Sequence, residues 1–340
     1  MPEPTATSSS PPPVLVVGGA GYIGAHCCRL LAASGFRPVV YDNLTTGHAD
    51  FVRWGPLIEG DIRDRAAAAR ALRDSGAEAV IHFAASAEVG ESMIDPHKYY
   101  DNNVAGTLSL LGAMRDEGVN TIVFSSTCSL YGNAGGAPIS EATPPAPVNP
   151  YGRTKWMIEQ ILSDFSQAHG FSAIALRYFN ACGADLDGRI GEWHEPETHL
   201  IPRAMLALLG HVSDFTIFGN DYDTPDGTAI RDYIHVDDLA RAHLSALRRL
   251  RGGHKGGAFN LGTGHGYSVR QVVEAIEAET GRRLPGITGP RRPGDPAVLI
   301  ADAALARAEL GFSPECSDLN TIIRTAWRWH LRHHGDIGGN

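Results

Sequence analysis

Val14-Leu15-Val16-Val17-Gly18-Gly19-Ala20-Gly21-Tyr22-Ile23-Gly24 is a short β-rich apolar run broken by a glycine turn, and the residues beyond it, including Leu30 and Leu31, carry a helical pattern. Strand, glycine turn and helix in that order open a dinucleotide-binding βαβ unit. Gly18, Gly21 and Gly24 let the chain turn tightly, approach a pyrophosphate and pack the helix close to the sheet. The phosphate then meets a helix N-terminus, whose N–H groups and dipole favour an anion. Asp42 closes the next apolar run, eighteen residues beyond Gly24, where a carboxylate meets the adenosine ribose hydroxyls. Such a carboxylate repels a 2′-phosphate and selects NAD over NADP. Asp42-Asn43 is also good turn chemistry, but spacing and charge favour the ribose role.

Further apolar runs at Val39–Tyr41, Ala79–Phe83, Thr121–Ser125 and Ala173–Tyr178 alternate with helical patterns such as Ala66–Arg73 and Ile158, Ile161, Leu162, Phe165. That alternation predicts an α/β fold: a Rossmann-type, doubly wound parallel sheet over residues 14–180. After residue 180 the rhythm changes, with a loop-like Gly183–Thr198, candidate helices at Leu200–Leu209, Val269–Thr280 and Asn320–His330, and short isolated segments at 214–219, 233–236 and 258–262. Residues 181–335 are expected to form mainly a smaller α/β substrate lobe, with part of 231–262 returning to the first domain. Residues 1–13, rich in Ser and Pro, are expected to be a disordered lead-in.

The 340 residues suit two lobes with a cleft between them, and 43% apolar with 20% charged residues is the usage of a soluble enzyme. A net charge of −9 argues against nucleic acid or an anionic membrane as partner, and no apolar run is long enough to span a bilayer. Cysteines at 27, 28, 128, 182 and 316, odd in number and irregularly spaced, read as reduced thiols of a cytoplasmic protein. His330 and His334 stand one helical turn apart, but no Glu or Cys beside them completes a ligand set, so no metal is expected.

Tyr151 and Lys155 lie one turn apart on one helical face. An ammonium there stabilises a phenolate and lowers the tyrosine pKa toward a usable base. The chain has only three lysines against twenty-six arginines, so a lysine at this spot is not background usage.

With these pieces in place the chain resembles the extended short-chain dehydrogenase/reductases and, among them, most closely the UDP-glucose 4-epimerases. The resemblance runs over nearly all of residues 14–330. It rests on Gly-Gly-Ala-Gly-Tyr-Ile-Gly at 18, Tyr-Asp-Asn-Leu at 41, Gly-Asp-Ile-Arg at 60, His-Phe-Ala-Ala at 82 and Val-Gly-Glu-Ser at 89. It continues through Tyr-Tyr-Asp-Asn-Asn-Val at 99, Tyr-Gly-Arg-Thr-Lys at 151, Leu-Arg-Tyr-Phe-Asn at 176, Ile-Phe-Gly-Asn-Asp-Tyr at 217, Arg-Asp-Tyr-Ile-His-Val-Asp-Asp-Leu at 231 and Arg-Arg-Pro-Gly-Asp at 291.

The resemblance implies a bound NAD, with Tyr22 and Ile23 at the pyrophosphate, Asp42, Asn43, Leu44, Thr45, Thr46 and Gly47 at the adenosine ribose, and Asp61 and Ile62 beside the adenine. Phe83, Ala84, Ala85, Ala87, Asn102 and Phe179 would line the rest of the cofactor. Thr127 would join Tyr151 and Lys155 as the third catalytic residue, its hydroxyl donating to the sugar oxygen. Asn180, His199, Leu200, Thr216, Phe218, Arg231, Tyr233, Val269, Arg292, Asp295 and Leu299 would contact a UDP-sugar. Arg231 and Arg292 suit a diphosphate on an acidic protein. The implied reaction is oxidation at C4, rotation of the 4-keto sugar and reduction on its other face. A homodimer through helices including Asn102–Asp116 and Tyr151–His169 is implied as well.

Three positions depart from the pattern. His199 replaces an asparagine of several relatives, and Ala87 replaces a lysine near the nicotinamide ribose. Leu299 stands where tyrosine narrows, and cysteine widens, the sugar pocket. It predicts UDP-glucose/galactose as the preferred pair with slower turnover of UDP-N-acetylhexosamines; UDP-xylose/arabinose stays open, and so does simple core packing for Leu299. A dehydratase or decarboxylase of this fold needs a carboxylate after the catalytic Ser/Thr, and Thr127-Cys128-Ser129-Leu130-Tyr131-Gly132 has none. A non-catalytic NAD-binding protein would not need Thr127, Tyr151 and Lys155 together.

Overall fold

Successive residues of the first strand, Pro13–Val17 (β1), feed two different cores. Val14 and Val16 face a cluster with Cys27, Leu31, Leu239 and Leu247, whereas Leu15 and Val17 face Leu72, Leu110, Met114, Ile158 and Leu162. A strand covered on both faces has no solvent side, so its sequence reads as an unbroken apolar run. The computed structural model describes residues 11–134, 138–292 and 295–335. The expected disordered tail falls, up to Ser10, outside the described residues, and Pro13 already belongs to β1.

Strands Arg37–Asp42 (β2), Leu57–Glu59 (β3), Ala79–His82 (β4), Thr121–Ser125 (β5), Ser172–Tyr178 (β6) and Gly256–Leu261 (β7) join β1 in one sheet, every pair parallel, in the order β7-β6-β5-β4-β1-β2-β3. Helices Tyr22–Ala33 and Val236–Arg251 cover one face; Arg65–Ser75, Gly106–Asp116 and Pro150–His169 cover the other. This is the Rossmann-type, doubly wound arrangement. The order reverses between β1 and β4, which leaves a crevice at the C-terminal ends of the strands.

Two of these elements had no counterpart among the expected ones. Leu57–Glu59 is a three-residue edge strand, half-buried to exposed, too short for a periodicity to show. Val236–Arg251 is strongly amphipathic, with Asp237 and Asp238 in its first turn and Arg248, Arg249 and Arg251 in its last, both favourable to the helix dipole. Its apolar face was hidden in sequence because it begins inside the Tyr-Ile-His-Val run of a preceding strand.

The remaining chain builds a smaller α/β layer from Asn180–Cys182 paired with Tyr233–His235, Phe215–Phe218 with Gly286–Gly289, and a three-stranded set of Ile230–Arg231, Tyr267–Ser268 and Val298–Leu299. Helices Leu200–Leu208, Val269–Thr280 and Leu319–His334 pack around Ile201, Met205, Phe215, Val272, Ile276 and Ile322. A separate cluster of Ala25, Phe51, Ile190 and Trp329, with Trp193 against it, fastens this layer to the start of the first helix.

Candidate active site

The glycine turn divides its work as its spacing predicts. Gly18 has φ +79°, and a Cβ there would meet the Ala84 backbone at 2.5 Å; at Gly24 a Cβ would meet Gly18 O at 2.2 Å. Around Gly21 the space is open except for Gly18 O at 3.5 Å. Gly21 is the N-cap of Tyr22–Ala33, and no side chain caps that helix. Its first N–H groups therefore face the crevice, as a phosphate site requires. Tyr22 contributes through this backbone: its phenol donates to Gly183 O at 2.6 Å and the ring is buried.

At the end of β2, Asp42 accepts from Ala20 N at 3.0 Å and Leu44 N at 2.9 Å, so one carboxylate ties the glycine turn to the 43–47 turn. Leu44 takes φ +55°, and Gly47 leaves no room for a Cβ, which would lie 2.9 Å from Asp42 Oδ1. Burial raises the Asp42 pKa while the two N–H donors oppose it. Asn43 donates to Asp61 at 3.0 Å, and Ile62 is buried against Gly106. Phe83 and Ala84 donate their N–H groups to Val17 O at 2.7 and 3.1 Å, and Phe179 donates to Leu261 O at 3.2 Å. Ile23, Thr45, Thr46, Ala85 and Ala87 lie on these same turns. All of the residues expected at the cofactor except Asn102 thus stand at one edge of the sheet, on the connections after β1 to β6 or, for Tyr151 and Lys155, on the helix against β5. An uncapped helix N-terminus beside a buried carboxylate fits NAD.

Asn102 lies on a π-helical stretch, Tyr100–Ala105, and donates to Asn103 at 3.0 Å. Asn103, which the sequence reading passed over, is fully buried; it accepts from Ser86 N at 2.8 Å and donates to Ser86 O and the Thr154 hydroxyl. It locks the 83–87 turn to the Tyr151 helix. Asp232 was also passed over. It accepts from Thr263 N, the Thr263 hydroxyl, Gly264 N and Ala301 N, pinning the connection after β7 to the strand that carries Leu299. Their one signal in sequence is a polar residue adjoining a site residue, in Asn-Asn and Arg-Asp.

Thr127 follows β5, and its hydroxyl accepts from Ser129 N at 3.1 Å. Asn149 caps the next helix by accepting from Gly152 N at 2.8 Å, with Pro150 in its first turn, so Tyr151 enters the site at a fixed angle. The Lys155 ammonium donates to Ser125 O at 2.8 Å and lies 5.9 Å from the Tyr151 ring centroid. The three residues converge at the end of β5. Burial raises the Tyr151 pKa, with Tyr178 adding to it and a Thr127 hydrogen bond opposing, while burial pulls Lys155 down to about 7 against Glu159.

The residues expected at a UDP-sugar lie on the smaller layer and its connections. Arg231 pairs with Asp295 and donates to Ile230 O; the Arg292 guanidinium lies 4.3 Å above the Phe218 ring, with Thr216 on the same strand. Leu299 is paired in register with Arg231 and packs beside Phe179, Leu130 and Tyr131. Tyr233 is buried, Asn180 N donates to Asp232 O at 3.0 Å, and Val269 opens the Val269–Thr280 helix. His199 precedes Leu200 as the N-cap of Leu200–Leu208, and its Nδ1 turns instead toward Glu192 and Glu197, at 2.9 and 3.2 Å.

Residues 14–262 match the model of the NAD dependent epimerase/dehydratase family, and the chain belongs to that family. The particular enzymes that it is similar to are UDP-glucose 4-epimerases. That of Rhizobium leguminosarum bv. trifolii is 53% identical over 319 residues, covering 94% of this chain and 97% of its own. The crystal structure of the Brucella ovis enzyme in complex with NAD superposes with a TM-score of 0.92 at 54% identity, covering 95% and 98% of the two chains. The Bifidobacterium longum enzyme in complex with NAD+ and UDP gives 0.90 at 37% identity, covering 96% and 100%.

Proposed function

We propose that this chain interconverts UDP-glucose and UDP-galactose by inverting C4 of the hexose. The observation that carries the reading is the convergence of Thr127, Tyr151 and Lys155 at the end of β5, beside turns shaped for NAD. When bound, NAD supplies a reversible hydride acceptor. Tyr151 takes the proton of the C4 hydroxyl, Thr127 orients that oxygen, and Lys155 holds positive charge near the phenol. Loss of both hydrogens leaves a 4-keto sugar. Arg231 and Arg292 grip the diphosphate while the sugar turns over between them and Tyr151; the hydride would then return to the other face of C4 as Tyr151 returns its proton to the C4 oxygen. No second base is needed, and the cofactor ends in its starting state. No carboxylate stands between Thr127 and Gly132, which speaks against elimination or decarboxylation at the same ketone. Separating the products formed from UDP-glucose, UDP-xylose and UDP-N-acetylglucosamine tests the assignment; failure to form UDP-galactose overturns it.

Specificity is the finer half of the proposal. Leu299 limits the pocket without closing it, so UDP-N-acetylhexosamines turn over more slowly than the plain pair. Leu299→Tyr is expected to lower the N-acetylated to plain turnover ratio, and Leu299→Cys to raise it, by factors of roughly 5 to 150 for about 1 to 3 kcal/mol. An unchanged ratio in both variants reduces Leu299 to packing against Phe179. Among the described residues no helix is long and apolar enough to cross a membrane. A cytoplasmic homodimer is part of the proposal: Leu108 and Met157, 43% and 40% exposed, lie on the two helices expected at the dimer interface. Light scattering on the purified protein checks the mass.

A further inference from the structure

The connection from Asn180–Cys182 to Leu200–Leu208 folds so that Glu192, His194, Glu197 and His199 aim at one point. One ligand atom from each lies within 4.8 Å of every other. His199 Nδ1 stands 2.9 Å from Glu192 Oε1 and 3.2 Å from Glu197 Oε1; His194 Nδ1 stands 3.7 Å from the same Glu192 oxygen and 3.3 Å from the other Glu197 oxygen, Oε2. Donors about 2.0 to 2.1 Å from a tetrahedral zinc ion lie roughly 3.3 to 3.4 Å apart, the middle of that range. Both carboxylates are buried, and His199 leaves the cluster 51% exposed on its side chain, an entry path.

Two protonated histidines could instead pair with two glutamates. Each Nδ1 carries one proton, however, and each approaches both carboxylates. Two N–H groups serve four approaches only by being shared, whereas one central cation meets a lone pair from each of the four residues. The Glu197 carboxylate is itself oriented by Thr198 N and His199 N, both at 2.9 Å, the kind of outer support that holds metal ligands in place. The motif Glu192-x-His194-x-x-Glu197-x-His199 was legible in the sequence, and the expectation of no metal weighed only His330 and His334.

We infer that Glu192, His194, Glu197 and His199 form a closed, four-ligand site for a zinc-class divalent cation whose role is structural. Four protein ligands leave no open position for a reacting water. The cation would fasten the 183–199 connection where it docks on the first helix. His194 lies edge-on to Tyr22 there, Trp193 stacks on His48 at 3.7 Å, and the Thr198 hydroxyl reaches Glu88 at 2.6 Å.

The test uses the NAD-bound protein, purified without a metal-affinity tag from zinc-supplemented cells. Elemental analysis is expected to find about one zinc per chain. Stripping with chelator should lower Tm and added Zn²⁺ should restore it. Cobalt added to the stripped protein should give the intense visible bands of a tetrahedral centre. His194→Gln and Glu192→Gln should reduce zinc to trace while bound NAD, read by its absorbance after denaturation, reports that the fold survives. Trace zinc in wild type with no Tm response to Zn²⁺ overturns the site and leaves paired histidine–glutamate contacts. Full zinc in His194→Gln overturns the ligand assignment. A weak, octahedral cobalt spectrum in wild type, which needs no variant, overturns the closed four-ligand geometry.

Discussion

Tyr151 is buried, held at the start of its helix by Asn149 and Pro150, and aimed with Thr127 at one point. Removing its hydroxyl takes away the base and little packing. Tyr151→Phe is expected to keep fold and bound nucleotide and to lose roughly a hundred- to ten-thousand-fold in turnover, checked by initial rates on UDP-galactose. His243 is a buried ring whose burial couples stability to pH. It is buried against Phe83 at 4.7 Å, its Nδ1 donates to Leu239 O at 2.8 Å, and its Nε2 has no partner. Burial lowers its pKa to about 4, with the Leu239 carbonyl opposing. The folded protein keeps this ring neutral, while the unfolded chain binds a proton below about 6.5. Its contribution to stability is therefore present above that pH and is lost as pH falls toward 4. Relative to His243→Phe, wild type should lose up to about 1.4 kcal/mol per pH unit across that window in urea titrations. Parallel curves for the two proteins would mean the ring is not held neutral.

Among the elements, the Tyr151 helix is tied to β6 by one buried ion pair. Arg177 donates to both Glu159 oxygens, at 2.5 to 3.1 Å, and to the Tyr131 phenol at 2.8 Å, while the Ser126 hydroxyl donates to Glu159 at 2.5 Å. Ser126 adjoins Thr127, so this network sets how the Tyr151 helix meets the end of β5. Arg177→Met strands a buried carboxylate and should cost about 3 to 5 kcal/mol of unfolding free energy. Adding Glu159→Leu removes the orphan charge and should recover most of that loss; equal instability of single and double variants would assign the cost to packing.

Across the whole molecule, the redox-neutral cycle and Asp42 together predict what copurifies. Protein prepared without added nucleotide should release NAD or NADH on denaturation, and chromatography should find little NADP, because a 2′-phosphate would face the Asp42 carboxylate. A mostly NADP extract would remove Asp42 as the selector. The cofactor turns lie on the sheet, while Arg231, Arg292 and Leu299 lie on the smaller layer. The cleft thus depends on joints such as the Ala25, Phe51, Ile190 and Trp329 cluster.

Local chemistry was enough to place β1 and its glycine turn, Tyr151 and Lys155 on one helix, and Asp42 at the end of β2. Each depends on residues within one strand, turn or helix, where backbone sterics and period alone act. Part of 231–262 was expected back in the first domain, but only the tertiary structure decided which strand Gly256–Leu261 joins, since its partner at 173–178 lies far away in the chain. It also decided the burial of Tyr151 and Lys155, whose ammonium donates to Ser125 O. The same holds for Asn103 and Asp232, polar residues whose partners come from other elements, and for His199, whose Nδ1 turns to Glu192 and Glu197. Contacts between distant segments and the desolvation that they impose are properties of packing, and a local pattern does not carry them.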